Sequence, residues 1–140
     1  MKKVLTGLKP TGEITFGNYV GSIKQMVELQ DKYDSFIFVA DLHALTIPQD
    51  PKEIHDRIKR FIAMYIACGI DPNKNTIYIQ SENEFIPAMS YLLECTTTYG
   101  EASRMIQFKE KSKQNSNFSV GLLTYPVLMA ADILYCDTDY

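Results

Sequence analysis

The sequence has no uninterrupted apolar run of the length that a membrane span requires. Its 140 residues are 46% hydrophobic and 22% charged, as in ordinary globular proteins, whereas a spanning helix needs roughly 20 consecutive apolar residues. The Met-Lys-Lys start resembles the charged end of a signal peptide, but Gly7, Lys9 and Pro10 interrupt the apolar stretch that should follow. The composition therefore predicts a protein that is neither embedded in a membrane nor secreted.

Cysteine and net positive charge are also scarce. Cys68, Cys95 and Cys136 are odd in number and form no C-x-x-C pair, which fits reduced thiols in the cytoplasm better than a disulfide framework or a zinc site. The net charge of -3 provides no global positive field for nucleic acid. We therefore expect a cytoplasmic chain with no protein-bound metal, in which any contact with nucleic acid is local or lies outside this sequence.

The two commonest phosphate-binding loops are missing as well. Gly7, Gly12 and Gly17 have the spacing of a P-loop, but no Lys-Ser or Lys-Thr pair follows them, and no G-x-G-x-x-G occurs. What the sequence does contain is a glycine-rich stretch from Thr6 to Gly21, between a short apolar strand and the start of a helix. This order presents backbone N–H groups and the positive end of a helix dipole to phosphate.

Strand and helix patterns alternate along the chain. We predict strands over 3–5, 35–40 and 76–80, and helices over 18–33, 50–69, 84–100, 101–113 and from 119 onward, the last one kinked or restarted at Pro126. Asp50 and Pro51 indicate a capped helix start, and Gly69 a left-handed helix end. Continuous apolar strands separated by helices are typical of an α/β fold with a parallel sheet and right-handed crossovers.

Three polar positions suggest a binding site. Asp41 and His43 follow the second strand, at the end of a parallel sheet where ligands bind. Asp132 is a lone carboxylate within Leu-Met-Ala-Ala-Asp-Ile-Leu, and burying it would be costly without a partner. Gly17 permits close approach of a nucleotide, while its polar neighbours supply uncharged hydrogen bonds.

The run Thr15-Phe16-Gly17-Asn18-Tyr19 resembles the first signature of class I aminoacyl-tRNA synthetases, in the variant form of the tryptophanyl branch. Phe16 departs from the usual small aliphatic residue. The resemblance continues through Gln80-Ser81-Glu82 and two more specific runs, 105–112 and 121–134, so that it covers the whole chain.

This resemblance implies two sets of site residues. The ATP-binding set is Lys9, Pro10, Thr11, Thr15, Gly17, Asn18 and Gly21, with Lys111 on the pyrophosphate side. Lys9 stands where the family often has Gln. The tryptophan-binding set is Asp132, which would accept a hydrogen bond from the indole N–H, together with Met129, Leu5, Gly7, His43 and Tyr125.

The resemblance also implies a Rossmann-like (HUP-type) α/β fold with flanking helices, incomplete at its C-terminus. Residues 1–140 would be the N-terminal part of the catalytic domain, without the second ATP signature and the anticodon-binding domain. The implied substrates are ATP accompanied by Mg²⁺, tryptophan and tRNA(Trp), and the implied assembly is a homodimer. Three alternatives remain open: a tyrosyl-type fragment, a stand-alone nucleotidylyltransferase, which would need His in place of Asn18, and a non-catalytic interaction fragment.

Overall fold

Three parallel strands form the sheet at the centre of the fold. The computed structural model describes residues 1–106, 108–110 and 118–140. Strands β1 (Lys3–Leu8), β2 (Asp34–Val39) and β3 (Asn75–Ile79) lie in the order β1-β2-β3. The predicted parallel α/β architecture is confirmed, although β1 runs to Leu8 because it pairs with the full length of β2, up to Val39.

Helices connect and flank the strands. They are α1 (Phe16–Asn18), α2 (Lys24–Leu29), α3 (Asp41–Ala44), α4 (Pro51–Ala67), α5 (Phe85–Glu94), α6 (Tyr99–Ala102) and α7 (Val120–Cys136). A π-helical turn, Tyr19–Ile23, joins α1 to α2. None of the helices within the described ranges is long and apolar enough to cross a bilayer.

The limits of α4 follow from its end residues. The Asp50 side chain accepts a hydrogen bond from the Lys52 N–H, and Pro51 occupies the first turn, where a missing N–H costs nothing. Gly69 follows the helix with a φ of 104°, a conformation that side chains with a Cβ rarely adopt. Both predicted end signals of this helix are confirmed.

Other helix limits differ from the prediction. The first helix begins at Phe16 instead of Asn18, because Thr15 caps it, and it ends at Leu29 instead of Tyr33. The helix that starts at Phe85 ends at Glu94, well before Gly100, and the hydroxyls of the two threonines that follow donate to its Leu93 carbonyl.

The C-terminal helix and the segment before it also differ from the prediction. α7 is one continuous helix from Val120 to Cys136 that contains Pro126, so of the two predicted outcomes, a kink or a restart at that proline, the restart is wrong and the kink stays a prediction. The helix predicted over 101–113 lies partly outside the described residues, and within them it is interrupted, because α6 ends at Ala102 and residues 103–105 are not helical.

The two faces of the sheet have different coverings. On one face, α2 and α4 enclose the main apolar core, formed by Ile23, Met26, Ile37, Val39, Ile58, Phe61, Tyr65 and Ile70. Because strand side chains alternate, Leu5, Gly7 and Phe38 point to the other face. There α7 packs against β1 and α5. A cavity with a mainly apolar lining remains between α7 and this face of the sheet.

Candidate active site

A cavity of about 430 Å³ lies beside α7, near the carboxyl ends of β1 and β2. Its size is within the range of small-molecule sites. Its lining residues are Leu5, Thr6, Gly7, Lys9, Phe38, Ala40, His43, Tyr125, Met129, Asp132 and Ile133. The structure thus brings together, in one cavity, all the residues predicted for the amino acid site: Leu5, Gly7, His43, Tyr125, Met129 and Asp132.

Asp132 is the most buried polar group of this cavity, with 1% of its surface exposed. The Nε2 atom of His43 lies 2.9 Å from Asp132 Oδ2. The Gln80 side-chain amide donates to both carboxylate oxygens, at 2.8 Å to Oδ1 and 2.9 Å to Oδ2. The carboxylate therefore has protein partners that offset the cost of its burial, without any bound ligand.

The partners of His43 define its tautomer. A carboxylate can only accept, so Nε2 of His43 carries the hydrogen in this contact. The other ring nitrogen, Nδ1, is buried and has no hydrogen-bond partner among the described residues. This arrangement makes His43 an orienting donor to Asp132 and leaves Nδ1 as a polar atom beside the cavity.

Gln80 is a buried polar residue that neither set of predicted site residues includes, and Asp41 is a second one, although its position after β2 had suggested a binding site. Gln80 is fully buried and directly follows β3. Asp41 follows β2 and accepts a hydrogen bond from the Ser81 N–H at 3.0 Å. The sequence carried one usable signal, since both residues come at the polar ends of apolar strands, where ligand sites of parallel sheets lie.

Gly7 shapes the floor of the cavity. A Cβ built on Gly7 would lie 2.4 to 2.8 Å from ring atoms of Phe38, which is too close for any real contact. The Phe38 ring in turn stacks on Tyr78, with centroids 5.5 Å apart and planes inclined by 17°. Glycine at position 7 therefore allows an aromatic ring to lie flat across β1.

Tyr125 and Lys9 lie close together in the cavity lining. The Tyr125 ring meets the His43 ring edge-on at a centroid distance of 6.2 Å, and the Lys9 ammonium lies 5.3 Å from the Tyr125 centroid. The second distance is within the range of cation–π attraction. Burial raises the pKa of the Tyr125 hydroxyl, so this group remains a neutral donor near pH 7.

A second cavity, of about 650 Å³, lies along the glycine-rich loop. It is lined by Leu8, Lys9, Thr11, Gly12, Glu13, Thr15, Asn18 and Phe61. Four residues of the predicted ATP set, Lys9, Thr11, Thr15 and Asn18, therefore share it. Lys9 belongs to both cavities, so the two share this residue.

The remaining residues of that set lie elsewhere. Pro10 is fully buried next to the cavity, while Gly17 and Gly21 are exposed on the helical segment and do not line it. Lys111 lies outside the described residues. In the described segments, no three His, Cys, Asp or Glu side chains lie close enough together to hold a metal ion.

Thr15 and Asn18 form a reciprocal capping box. The Asn18 N–H donates to Thr15 Oγ1 at 3.2 Å, and the Thr15 N–H donates to Asn18 Oδ1 at 2.9 Å. These polar atoms thus define the start of the helix, and the Asn18 amide NH2 is the part of that side chain suited to a ligand. The backbone N–H groups of Phe16 and Gly17 belong to the first helical turn, which has no acceptors within the helix.

Comparison with known proteins identifies the family. The family model described as tRNA synthetases class I (W and Y) matches residues 1–140. The chain belongs to this synthetase family. The class I synthetase resemblance of the signature and of the two later runs is thereby confirmed, as is the Rossmann-like class of the fold.

Individual synthetases are similar to this class I synthetase chain in both sequence and structure. It is 52% identical over 140 residues to the tryptophan–tRNA ligase of Caldanaerobacter subterraneus subsp. tengcongensis, covering 100% of the chain and 43% of that relative. Tryptophanyl-tRNA synthetase from Mycoplasma pneumoniae superposes with a TM-score of 0.92 at 39% identity, covering 99% of the chain and 41% of that structure. The Campylobacter jejuni enzyme, complexed with ADP and tryptophan, gives a TM-score of 0.91 at 40% identity, covering 97% and 43%. The chain thus spans less than half the length of these relatives.

Proposed function

We propose that the chain serves in the ATP-dependent activation of tryptophan to tryptophanyl-adenylate and its transfer to tRNA(Trp). One observation carries the proposal: a buried, hydrogen-bonded carboxylate, Asp132, lies in an apolar cavity next to a glycine-rich loop. The relatives described above are named tryptophan–tRNA ligases or tryptophanyl-tRNA synthetases. One of them is a complex with ADP and tryptophan.

Asp132 would recognise the indole ring. The indole has a single N–H donor and no acceptor of comparable strength, which suits a carboxylate in an apolar wall formed by Leu5, Phe38 and Met129. A site that has to hydrogen-bond its substrate rejects an analogue lacking the donor by roughly 10⁴ or more. Asp132 would therefore separate tryptophan from phenylalanine.

The glycine-rich loop would hold ATP. We assign Lys9, Pro10, Thr11, Thr15, Gly17, Asn18 and Gly21 to this half of the site, and Lys111 to the pyrophosphate side. The cavity along the loop and the first-turn N–H groups of the helix support the assignment. Gly17 and Gly21 lie away from the cavity lining, so their role would be to leave space beside the helix start.

The proposed chemistry uses no protein nucleophile. A carboxylate oxygen of tryptophan attacks the α-phosphorus of ATP; the new oxygen–phosphorus bond replaces the bond to the β-phosphate, and pyrophosphate leaves with the electron pair. A ribose hydroxyl of the tRNA then attacks the carbonyl carbon of the adenylate, and AMP leaves. The protein contributes positioning and stabilisation of negative charge. Mg²⁺ would accompany ATP, bound mainly by its phosphates.

Further properties belong to the same proposal. We infer that residues 1–140 correspond to the N-terminal part of a catalytic domain, since they match 43% of the length of a tryptophan–tRNA ligase. The second ATP signature, the anticodon-binding domain and the contact with tRNA would then come from further sequence. A homodimer and a cytoplasmic location follow from the same family assignment.

Binding of free tryptophan is the direct test. The chain contains no tryptophan, so the fluorescence of added L-tryptophan, excited where tyrosine does not absorb, reports its own transfer into an apolar cavity. Calorimetric titrations with tryptophan, tyrosine and ATP complete the comparison. We expect saturable binding of tryptophan in preference to tyrosine. Preference for tyrosine would support the tyrosyl alternative, and absence of binding by all three would contradict the proposal.

A further inference from the structure

Gln80 is a fully buried polar side chain that does not line the cavity. It lies where β3 ends, and its amide nitrogen contacts both carboxylate oxygens of Asp132. We propose that Gln80 is a positioning residue that fixes the Asp132 carboxylate and thereby sets selectivity for a substrate ring N–H. This inference rests on the proposed function, because it concerns recognition of the same substrate.

The partners of Gln80 determine the orientation of its amide. Asp132 can only accept hydrogen bonds, and the backbone N–H of His43 can only donate. That N–H lies 3.4 Å from Gln80 Oε1. Exchanging the amide oxygen and nitrogen would place oxygen against carboxylate and NH2 against N–H. The contact of Oε1 with the His43 N–H and the contacts of the NH2 group with Asp132 therefore favour the same amide orientation, in which the NH2 group faces the carboxylate.

The resulting pattern leaves one oxygen of Asp132 better able to accept from a ligand. Oδ2 accepts from Gln80 and is in contact with His43 Nε2, whereas Oδ1 has the Gln80 amide as its hydrogen-bond donor. A carboxylate offers about four acceptor positions. Oδ1 is thus the oxygen with the greater remaining capacity, and we expect it to accept from an N–H donor in the cavity.

Gln80 is needed because His43 alone does not define the carboxylate plane. The terminal torsion of an Asp side chain is broad, and one hydrogen bond to Oδ2 permits rotation about it. The contact of Gln80 with both oxygens removes that freedom. Since Gln80 is also uncharged, it orients the carboxylate without neutralising it, which preserves the strength of a charged acceptor.

A purely structural role makes a different prediction. Gln80 also connects β3 with α3 and α7, so its replacement will lower stability in either case. Loss of structure alone would weaken every ligand of the cavity by the same factor. A positioning role affects only ligands that donate to Asp132, and the ratio of two affinities separates the two roles.

The experiment compares L-tryptophan with its isostere in which sulfur replaces the ring N–H. Both affinities are measured by calorimetry for the unmodified chain, Gln80→Met and Gln80→Glu. Met retains the unbranched shape without a donor, and Glu retains the shape with a second negative charge. We expect the preference for tryptophan over the isostere to fall by about 10-fold or more in both variants, because a hydrogen bond to a charged group is lost or misdirected.

Gln30→Met is the matched control. Gln30 is also a hydrogen-bonded glutamine, joined to Gly69, Asp71 and Asn75, far from the cavity in the fold. The Gln30→Met variant should leave the ratio of the tryptophan affinity to the isostere affinity unchanged. If Gln80→Met leaves the ratio of the two affinities unchanged, whether both fall equally or neither falls, the inference is wrong while the proposed function stands. If the unmodified chain binds neither ligand, the proposed function fails and the inference fails with it.

Thermal unfolding of each variant is followed by circular dichroism, so that affinities are compared only for folded protein. Should Gln80→Glu fail to fold, Gln80→Met alone decides the outcome. Its neutral side chain removes the donor without adding a buried charge, which is the less disruptive of the two changes.

Discussion

His43 Nε2 lies 2.9 Å from Asp132 Oδ2, and both side chains are buried. The pair joins the segment after β2 to the middle of α7, two elements that are 89 positions apart in the chain. Because Gln80 adds a donor from the end of β3, three elements converge on one carboxylate. The site is therefore organised around Asp132 by the fold itself.

Replacement of Asp132 by Asn should weaken tryptophan binding much more than ATP binding. The change keeps the side-chain shape but removes the charged acceptor, and a hydrogen bond to a charged group contributes about 1.5–3 kcal/mol. We expect a loss of about 10- to 100-fold in tryptophan affinity, measured by calorimetry. Equal losses for tryptophan and ATP would count against the assigned role of Asp132.

Replacement of Gly7 by Ala should destabilise the fold and alter the cavity. The new methyl group would meet the Phe38 ring at 2.4 Å, and such overpacking costs about 1–3 kcal/mol. Urea unfolding measures the loss of stability, and tryptophan titration measures the loss of affinity. Gly12→Ala is the control, since nothing lies within 4 Å of the added atom; similar losses in both variants would refute the steric explanation.

Replacement of Gly69 by Ala should also lower stability, for a backbone reason. Gly69 has a φ of 104°, and a left-handed conformation costs residues with a Cβ about 1–2 kcal/mol. Gly21→Ala should have the opposite sign, because Gly21 is helical and open space surrounds it, and alanine is the better helix former by about 0.5–1 kcal/mol. Urea denaturation of both variants tests whether the free energy of unfolding falls in Gly69→Ala and rises in Gly21→Ala.

Stability should decrease in alkaline solution. Burial raises the pKa of the Tyr65 hydroxyl above its ordinary value, so the folded state retains a proton that the unfolded state releases from about pH 10 upward. The contribution of Tyr65 is complete below that pH and is lost progressively above it. Urea midpoints measured against pH should fall less steeply in Tyr65→Phe. Tyr91→Phe, at a residue that is 67% exposed, should leave the slope unchanged.

The position of β2 was predictable because an apolar run that is buried on both faces leaves a clear pattern, and the ends of α4 were predictable from Asp50 and Gly69. The end of the first helix was not, since no glycine or proline near Leu29 marks a stop. The restart predicted as one alternative at Pro126 was wrong for a related reason. Packing of α7 against α5 and β1 holds a helix together at a residue that disfavours one locally.

The site, like the fold, was predictable from the sequence only in part. The resemblance to the synthetases placed Leu5, Gly7 and Asp132 in one set, and the structure brings them into one cavity. The link from Gln80 to Asp132 spans 52 positions, and neither residue carries a local signal of the other. Such a contact becomes visible only when two elements pack together.

Lys9 lines both cavities, and the sharing of this charged residue has a thermodynamic consequence. A ligand that draws the Lys9 ammonium toward one cavity changes the charge that the other cavity presents. By linkage, whatever factor an anionic occupant of the loop cavity applies to the affinity for the amino acid, the amino acid applies to the affinity for that anion. We therefore expect the two cavities to act as one coupled binding system, whose coupling free energy is measured by titrating each ligand in the presence of the other.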